Sequence, residues 1–165
     1  IEGLLANSLP TFHILKASMS NLEQNDQPFG FNYSFEAPNY TKTAGDLILV
    51  RPRVLGTKAD GILETKEPRK FAVEFPGPAL DTDTFEITLP AGYVVDELPA
   101  PVNADYSFGS YHSKTEVSGP VIRYTRSFEI KQLSVPASNA DELKKFNRII
   151  AGDERNQVVL KPAPK

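Results

Sequence analysis

Thr84–Pro136 reads TFEITLPAGYVVDELPAPVNADYSFGSYHSKTEVSGPVIRYTRSFEIKQLSVP. Apolar and polar residues alternate along it in short runs divided by Pro and Gly, the period-two pattern of half-buried antiparallel strands. Phe85, Ile87 and Leu89 share one face, and Pro90-Ala91-Gly92 turns the chain into Tyr93-Val94-Val95. Pro99 and Pro101 cannot donate to an inner ladder, which places that segment at a sheet edge or in a loop. Tyr106 and Phe108 lie in one phase and Tyr111, Ser113, Thr115 and Val117 in the other. Gly109 stands at the switch, so a β-bulge is expected there. Ser118-Gly119-Pro120 then closes a hairpin with Val121–Lys131, whose inward face is Ile122, Tyr124, Phe128 and Ile130. Arg126 falls in the same inward phase and is expected to snorkel out at a strand end.

Working outward, the N-terminal half repeats the theme. Thr11–Leu22 alternates loosely, with His13, Leu15, Ala17 and Met19 on one face. Phe29, Phe31, Tyr33 and Phe35 occupy every second position of the next strand, with polar residues between them. Such a row reads as the buried face of a sheet in preference to an exposed sugar platform, because Phe has no polar tip to favour exposure. A short strand is expected from Tyr40 to Thr43, and Gly45-Asp46 turns into Leu47–Val50, apolar on both faces and therefore central. Residues 51–68 carry Pro, Gly and mixed charge and read as a long loop, with a turn at Asp60-Gly61. Alternation resumes from Arg69 to Phe75.

One helix is expected, over 139–151. Asn139 is suited to cap it, Glu142 completes a capping box, and Ala140, Leu143, Phe146, Ile149 and Ile150 fall near one face. Gly152 stands at its C-terminal cap position, and Gln157–Leu160 forms a last strand. Roughly seven to nine short strands with regular turn signals imply a mainly β fold, an antiparallel β-sandwich of immunoglobulin-like or related type, with one C-terminal α-helix. Residues 1–165 are expected to form a single domain.

Composition narrows the function classes. The chain of 165 residues is 40% apolar and 24% charged, which is that of a folded domain with a real core. A net charge of −3 offers nothing to attract nucleic acid or an anionic membrane. No apolar run reaches the ~18 residues of a spanning helix, so membrane insertion is not expected. The chain opens on Ile1-Glu2-Gly3 without a Met, which suggests an excised piece. Cysteine is absent, which removes disulfides, thiolate metal sites and a cysteine nucleophile together.

No catalytic, cofactor or metal site emerges. His13 and His112 lack acidic or histidine partners at metal-ligand spacing. Asp81 and Asp83 are too few oxygens for calcium, which takes about 6–8. Asp96 and Glu97, adjacent on a strand, point to opposite faces and cannot flank one bond. Tyr93, Tyr106, Phe108 and Tyr111 are the candidates for a ligand-stacking patch, should the domain bind envelope carbohydrate or peptide.

The strings RKFAVEF, DTFEITLPAGYVVDELPAPV, ADYSFGSYHSK, GPVIRYTRSFEI and VPASNADELKKFNRII resemble the C-terminal portion of bacterial proteins that join domains of unknown function to a transglutaminase-like domain. The earlier string YSFEAPNYTKTAGDLILVRPRVLG resembles the part that leads into it. The resemblance implies a C-terminal β-sandwich beside a papain-like core, usually in exported or envelope proteins. That family's active Cys, His and Asp lie in the core, and this chain has no Cys to match them. It therefore implies a non-catalytic accessory domain whose partner is the transglutaminase-like core of the same polypeptide, in an extracytoplasmic setting.

Overall fold

The computed structural model describes residues 2–59 and 68–164. The order is helix α1 (Glu2–Ala6), strands β1 (His13–Ser20), β2 (Gly30–Glu36), β3 (Lys42–Ala44), β4 (Leu47–Val50), β5 (Val73–Glu74), β6 (Ala79–Thr88), β7 (Tyr93–Glu97), β8 (Val102–Tyr106), β9 (Gly109–Ser118), β10 (Val121–Ile130) and β11 (Ser134–Val135), helix α2 (Ala140–Asp153), and strand β12 (Val158–Pro162). Two four-stranded antiparallel sheets, β6-β10-β9-β8 and β3-β4-β12-β7, form the body. Hairpin β1-β2 and the short pair β11-β5 are separate two-stranded sheets. The fold is mainly β with one C-terminal helix, as the alternation implies.

Strand β10 is the spine of the first sheet. Its residues pair one for one with β9 from Val121↔Ser118 to Ile130↔Gly109, and with β6 from Val121↔Thr88 to Ile130↔Ala79. The connection to β9 is the two-residue turn Gly119-Pro120, where Gly119 adopts φ 57°, a left-handed conformation open to glycine at little cost. The prolines 99 and 101 join β7 to β8, and both of those strands are sheet edges, where a missing N–H is tolerated.

Among the described residues, two different elements cover one face of the first sheet. At one end Ile122 packs with Val50, Val158 and Leu160 of the second sheet, with Ile48, Ile87, Tyr93 and Val95 around them. At the other, Phe108, Tyr111 and Ala104 pack against Leu143, Phe146 and Ile150 of α2. The Phe146 ring meets Tyr106 and Phe108 edge-on at 5.5 and 5.6 Å and stacks on Phe128 at 6.2 Å. Each such fully buried side chain contributes roughly 1.5–3 kcal/mol, so α2 is held by its apolar face and not by its cap. Indeed Asn139 makes no side-chain cap bond, lying instead at the end of a 3-10 turn, Ala137–Asn139. The helix also runs through Gly152 to Asp153, past the expected end.

Four further expectations are corrected. Gly109 is no bulge: Tyr106 pairs with Gly109, so the phase switch is a tight hairpin turn through Ser107 and Phe108. Register shifts occur instead between Val159 and Leu160 of β12 and between Ile14 and Lys16 of β1, the latter putting Ile14 in place of Leu15 on the face shared with Ala17 and Met19. The row Phe31, Tyr33 and Phe35 is half-buried, its rings 5.6 and 6.0 Å apart in a ladder on hairpin β1-β2, and Phe29 is exposed. Strand β5 covers only Val73–Glu74, and Phe71 is exposed. The short helix α1, with Leu5 fully buried, has no counterpart in the periodicity argument. The turn expected at Asp60-Gly61 lies outside the described residues.

Gly109 is nevertheless required for packing, because a Cβ there would stand 2.4 Å from the carbonyl oxygen of Glu129. Gly109→Ala is expected to destabilise by about 1–3 kcal/mol through overpacking. Gly152→Ala, in α2 with nothing within 4 Å of the added Cβ, is expected to stabilise by about 0.5 kcal/mol. Urea denaturation of the two variants should show these opposite signs.

Candidate functional site

The four aromatic residues proposed for ligand stacking do not form a surface. Phe108 and Tyr111 are fully buried. Tyr106 is stacked on Phe108 at 5.2 Å within the α2 core, and Tyr93 packs in the other cluster, against the second sheet. With Phe108 and Tyr111 inaccessible and Tyr93 and Tyr106 half-buried in different clusters, the four rings share no exposed patch. His112 does have an acidic neighbour, which the chain order hides: pairing of β8 with β9 sets it 3.0 Å from Asp105 and 3.1 Å from Asn103, on an exposed face. Among the described residues no cluster of three His, Cys, Asp or Glu side chains is placed to share a metal ion. No described helix is long and apolar enough to cross a membrane.

The ionic structure lies inside. Arg126 does not snorkel. Its side chain is fully buried, directly opposite Asp83 on β6 in the strand register. Nε donates to Asp83 Oδ2 at 2.9 Å, Nη1 to Glu154 Oε1 at 3.0 Å, and both terminal nitrogens reach the Gly56 carbonyl at 3.3 Å. Burial works against the charge on Arg126, and the hydrogen bond and charge of Asp83 outweigh it, so its affinity for the proton rises. Glu154 is equally committed, accepting from the backbone N–H groups of Lys58 at 2.6 Å and Ala59 at 3.4 Å.

One residue earlier, buried Asp153 accepts from Tyr111 at 2.6 Å and from Tyr124 at 2.9 Å. Burial, with the Asp153 carboxylate beside them, pushes Tyr124 up to about 12 and Tyr111 further still. Neither hydroxyl is a nucleophile near neutral pH. Both are donors that hold the end of α2 on the sheet.

Beside this network a cavity of about 570 Å³ opens. Ser8 and Pro10 from the N-terminal segment, Tyr40, the chain leaving β4, and Ala151, Glu154 and Arg155 at the end of α2 line it. Arg51 and Arg53 line it as well, and Arg53 and the intervening Pro52 are buried although the segment reads as a loop in the sequence. Arg51 donates to the Ser8 carbonyl at 3.1 Å and lies over the Tyr40 ring, 5.8 Å from its centroid. Tyr40 in turn donates to the backbone carbonyl of Arg51, and burial raises its pKa. Arg53 donates to the Gly56 carbonyl at 2.6 Å. Burial pulls the Arg53 guanidinium below the ordinary arginine range; Glu154 opposes this, and the neighbouring Arg51 and Arg126 add to it. Among the described residues, Nε of Arg51 and of Arg53 is buried without a hydrogen-bond partner, as is that of Arg69 outside the cavity lining. The signal for this wall was present in the chain as an apolar strand running straight into R-P-R with no turn residue between.

A model of the domain family DUF3858, described as a domain of unknown function with a solved structure, matches residues 46–160. The chain belongs to this family. The DUF3858 match contains Arg51, Arg53, Asp83, Arg126, Asp153, Glu154 and Arg155, whereas Ser8, Tyr40 and Lys42 precede it. No curated protein and no solved structure matches the chain.

Two outcomes test the network. Arg126→Met leaves the buried Glu154 carboxylate and the half-buried Asp83 carboxylate without their cation and is expected to cost about 3–5 kcal/mol, whereas Arg123→Met, which breaks an exposed pair with Glu86, should cost under about 1 kcal/mol. At high pH the tyrosines act with a definite sign. Their folded pKa values are raised, so above about pH 10 the unfolded chain releases protons that the folded chain retains, and stability falls as pH rises through 12. Tyr124→Phe should make the decline between pH 10 and 12 shallower by up to about 1.4 kcal/mol per pH unit in urea titrations.

Proposed function

We propose that this chain is a non-catalytic accessory or interaction domain of a larger transglutaminase-like bacterial protein, acting outside the cytoplasm beside a papain-like core. The resemblance of its strings to the C-terminal portion of such proteins supports the reading, as does the missing cysteine. The observation that carries the non-catalytic part is the disposition of the reactive groups. Asp83, Asp153, Glu154, Tyr111, Tyr124 and Arg126 use their hydrogen-bonding capacity on one another and on the backbone, inside the protein. General acid–base work needs a group poised near the operating pH and within reach of substrate, and buried tyrosines raised to about 12 or beyond are neither. The open cavity is walled by arginine, which binds anions and does not exchange protons at neutral pH.

The purified chain is expected to show no turnover of amide or ester substrates. Joined to its core, it should change the KM or the thermal stability of the core without supplying a reacting group. Hydrolysis by the chain alone with a kcat of about 1 s⁻¹ or more would overturn this reading.

A further inference from the structure

We infer that the cavity beside Arg51 and Arg53 is a binding site for an organic carboxylate. The inference rests on the non-catalytic reading and gives the chemistry of what such a domain would hold. The comparison of two arginines in the same interior carries it. Arg126 is fully buried, and the fold supplies two carboxylates, Asp83 and Glu154, as counter-ions. Arg53, only 6% exposed, has among the described residues a neutral carbonyl as its hydrogen-bonded acceptor, that of Gly56. Its Nε, like those of Arg51 and Arg69, is buried without a hydrogen-bond partner among the described residues. Leaving a buried donor unsatisfied costs about 1–3 kcal/mol, and more for a charged group. The fold neutralises Arg126 with two carboxylates, yet lines the cavity with Lys42, Arg51, Arg53 and Arg155 against the single carboxylate of Glu154, and this positive wall is placed for an acceptor from outside.

The wall has the sign and the shape for that acceptor. Lys42, Arg51, Arg53 and Arg155 face one carboxylate, Glu154, whose charge is already met by Arg126 and by the N–H groups of Lys58 and Ala59. Arg53 donates from Nη1 to the Gly56 carbonyl, and its guanidinium lines the cavity, where a planar fork suits a carboxylate. Arg51 is held in advance by Ser8 and Tyr40, so little side-chain freedom is lost on binding. Pro10, the Tyr40 ring, Ala59 and Ala151 add apolar surface. A cavity of about 570 Å³ is the size of a small-molecule site and far larger than a bare inorganic anion, so the anionic group comes with a carbon body.

Glutarate, its uncharged dimethyl ester and inorganic phosphate, each titrated into the full chain at constant ionic strength, test this. Side-chain Nε–Hε signals of the arginines are read by NMR, with thermal unfolding in parallel. Glutarate should saturate, move the Arg51 and Arg53 signals together and raise Tm; the diester should do neither, and phosphate should bind at least about tenfold more weakly. Arg53→Gln should abolish the effect. Arg155→Gln, at an exposed position where folding is not at stake, should weaken glutarate about tenfold. Absence of a saturable shift, equal affinity for phosphate, or an Arg155→Gln chain that binds glutarate unchanged would each overturn the assignment. The non-catalytic reading is judged by turnover and stands or falls separately.

Discussion

The charge of Arg126 is the constraint on which the rest of the interior depends. Taking a guanidinium out of water costs several kcal/mol even after relaxation, and an ion pair offsets this only when its geometry is close to ideal. Here the partners arrive from three directions: Asp83 across the strand ladder, Glu154 from just beyond α2, and the Gly56 carbonyl from the segment after β4. A shift of β6 by one residue would turn Asp83 to the opposite face. A slip of the helix would withdraw Glu154. The same shift of β6 would turn Ile87 out of the core, so apolar packing already disfavours it, and the buried charge narrows the choice further among registers that keep the apolar faces inside.

The end of α2 shows the same logic in reverse. A helix C-terminus carries a partial negative charge, so acidic side chains there are unfavourable unless donors meet them. Asp153 and Glu154 occupy that position as a pair and are both buried. The sheet meets them with two tyrosine hydroxyls and one guanidinium from its inner face, Tyr111 from β9 and Tyr124 and Arg126 from β10. The helix is thereby fastened at its electrostatically weakest point. At its start Asn139 forms no side-chain cap, and Leu143 and Phe146 supply apolar anchoring.

Much of this architecture was legible because strand alternation and turn chemistry are local. Gly119-Pro120 and Gly45-Asp46 announce their hairpins within four residues of sequence, and Pro99 with Pro101 announces two edges. Gly109 was read as a bulge because a phase switch has the same appearance whether a strand bulges or turns back; only the pairing of Tyr106 with Gly109 separates the two. The ionic interior was not legible, since Arg126 lies 43 positions from Asp83, 28 from Glu154 and 70 from Gly56. No local pattern marks an inward arginine as paired and not snorkelling. The cavity was hidden for a related reason: Arg51-Pro52-Arg53 carries loop composition, and burial of that segment depends on Ser8 and on the end of α2, at opposite ends of the chain.

Why the polar groups collect where they do follows from how the first sheet is covered. Along β10 the inward residues run Ile122, Tyr124, Arg126 and Phe128, apolar at both ends and polar between. Ile122 lies under the second sheet, and Phe128 lies under α2. A sheet face shared by two coverings must have a seam where neither closes completely, and water or polar side chains fill such a seam more cheaply than an empty apolar void. The described part of the segment after β4 runs along this seam and contributes the Gly56 carbonyl and the Lys58 and Ala59 amides to it. Toward β6 the seam is sealed by Asp83, the counter-ion to Arg126. Toward Ser8 and Arg155 it is not sealed, and there Lys42 and three arginines face a cavity with Glu154, already engaged by Arg126, as the carboxylate in its lining. The structural network and the candidate binding site are thus two ends of one polar band, distinguished by charge balance: two carboxylates meet one guanidinium at the first, and one engaged carboxylate faces four cations at the second.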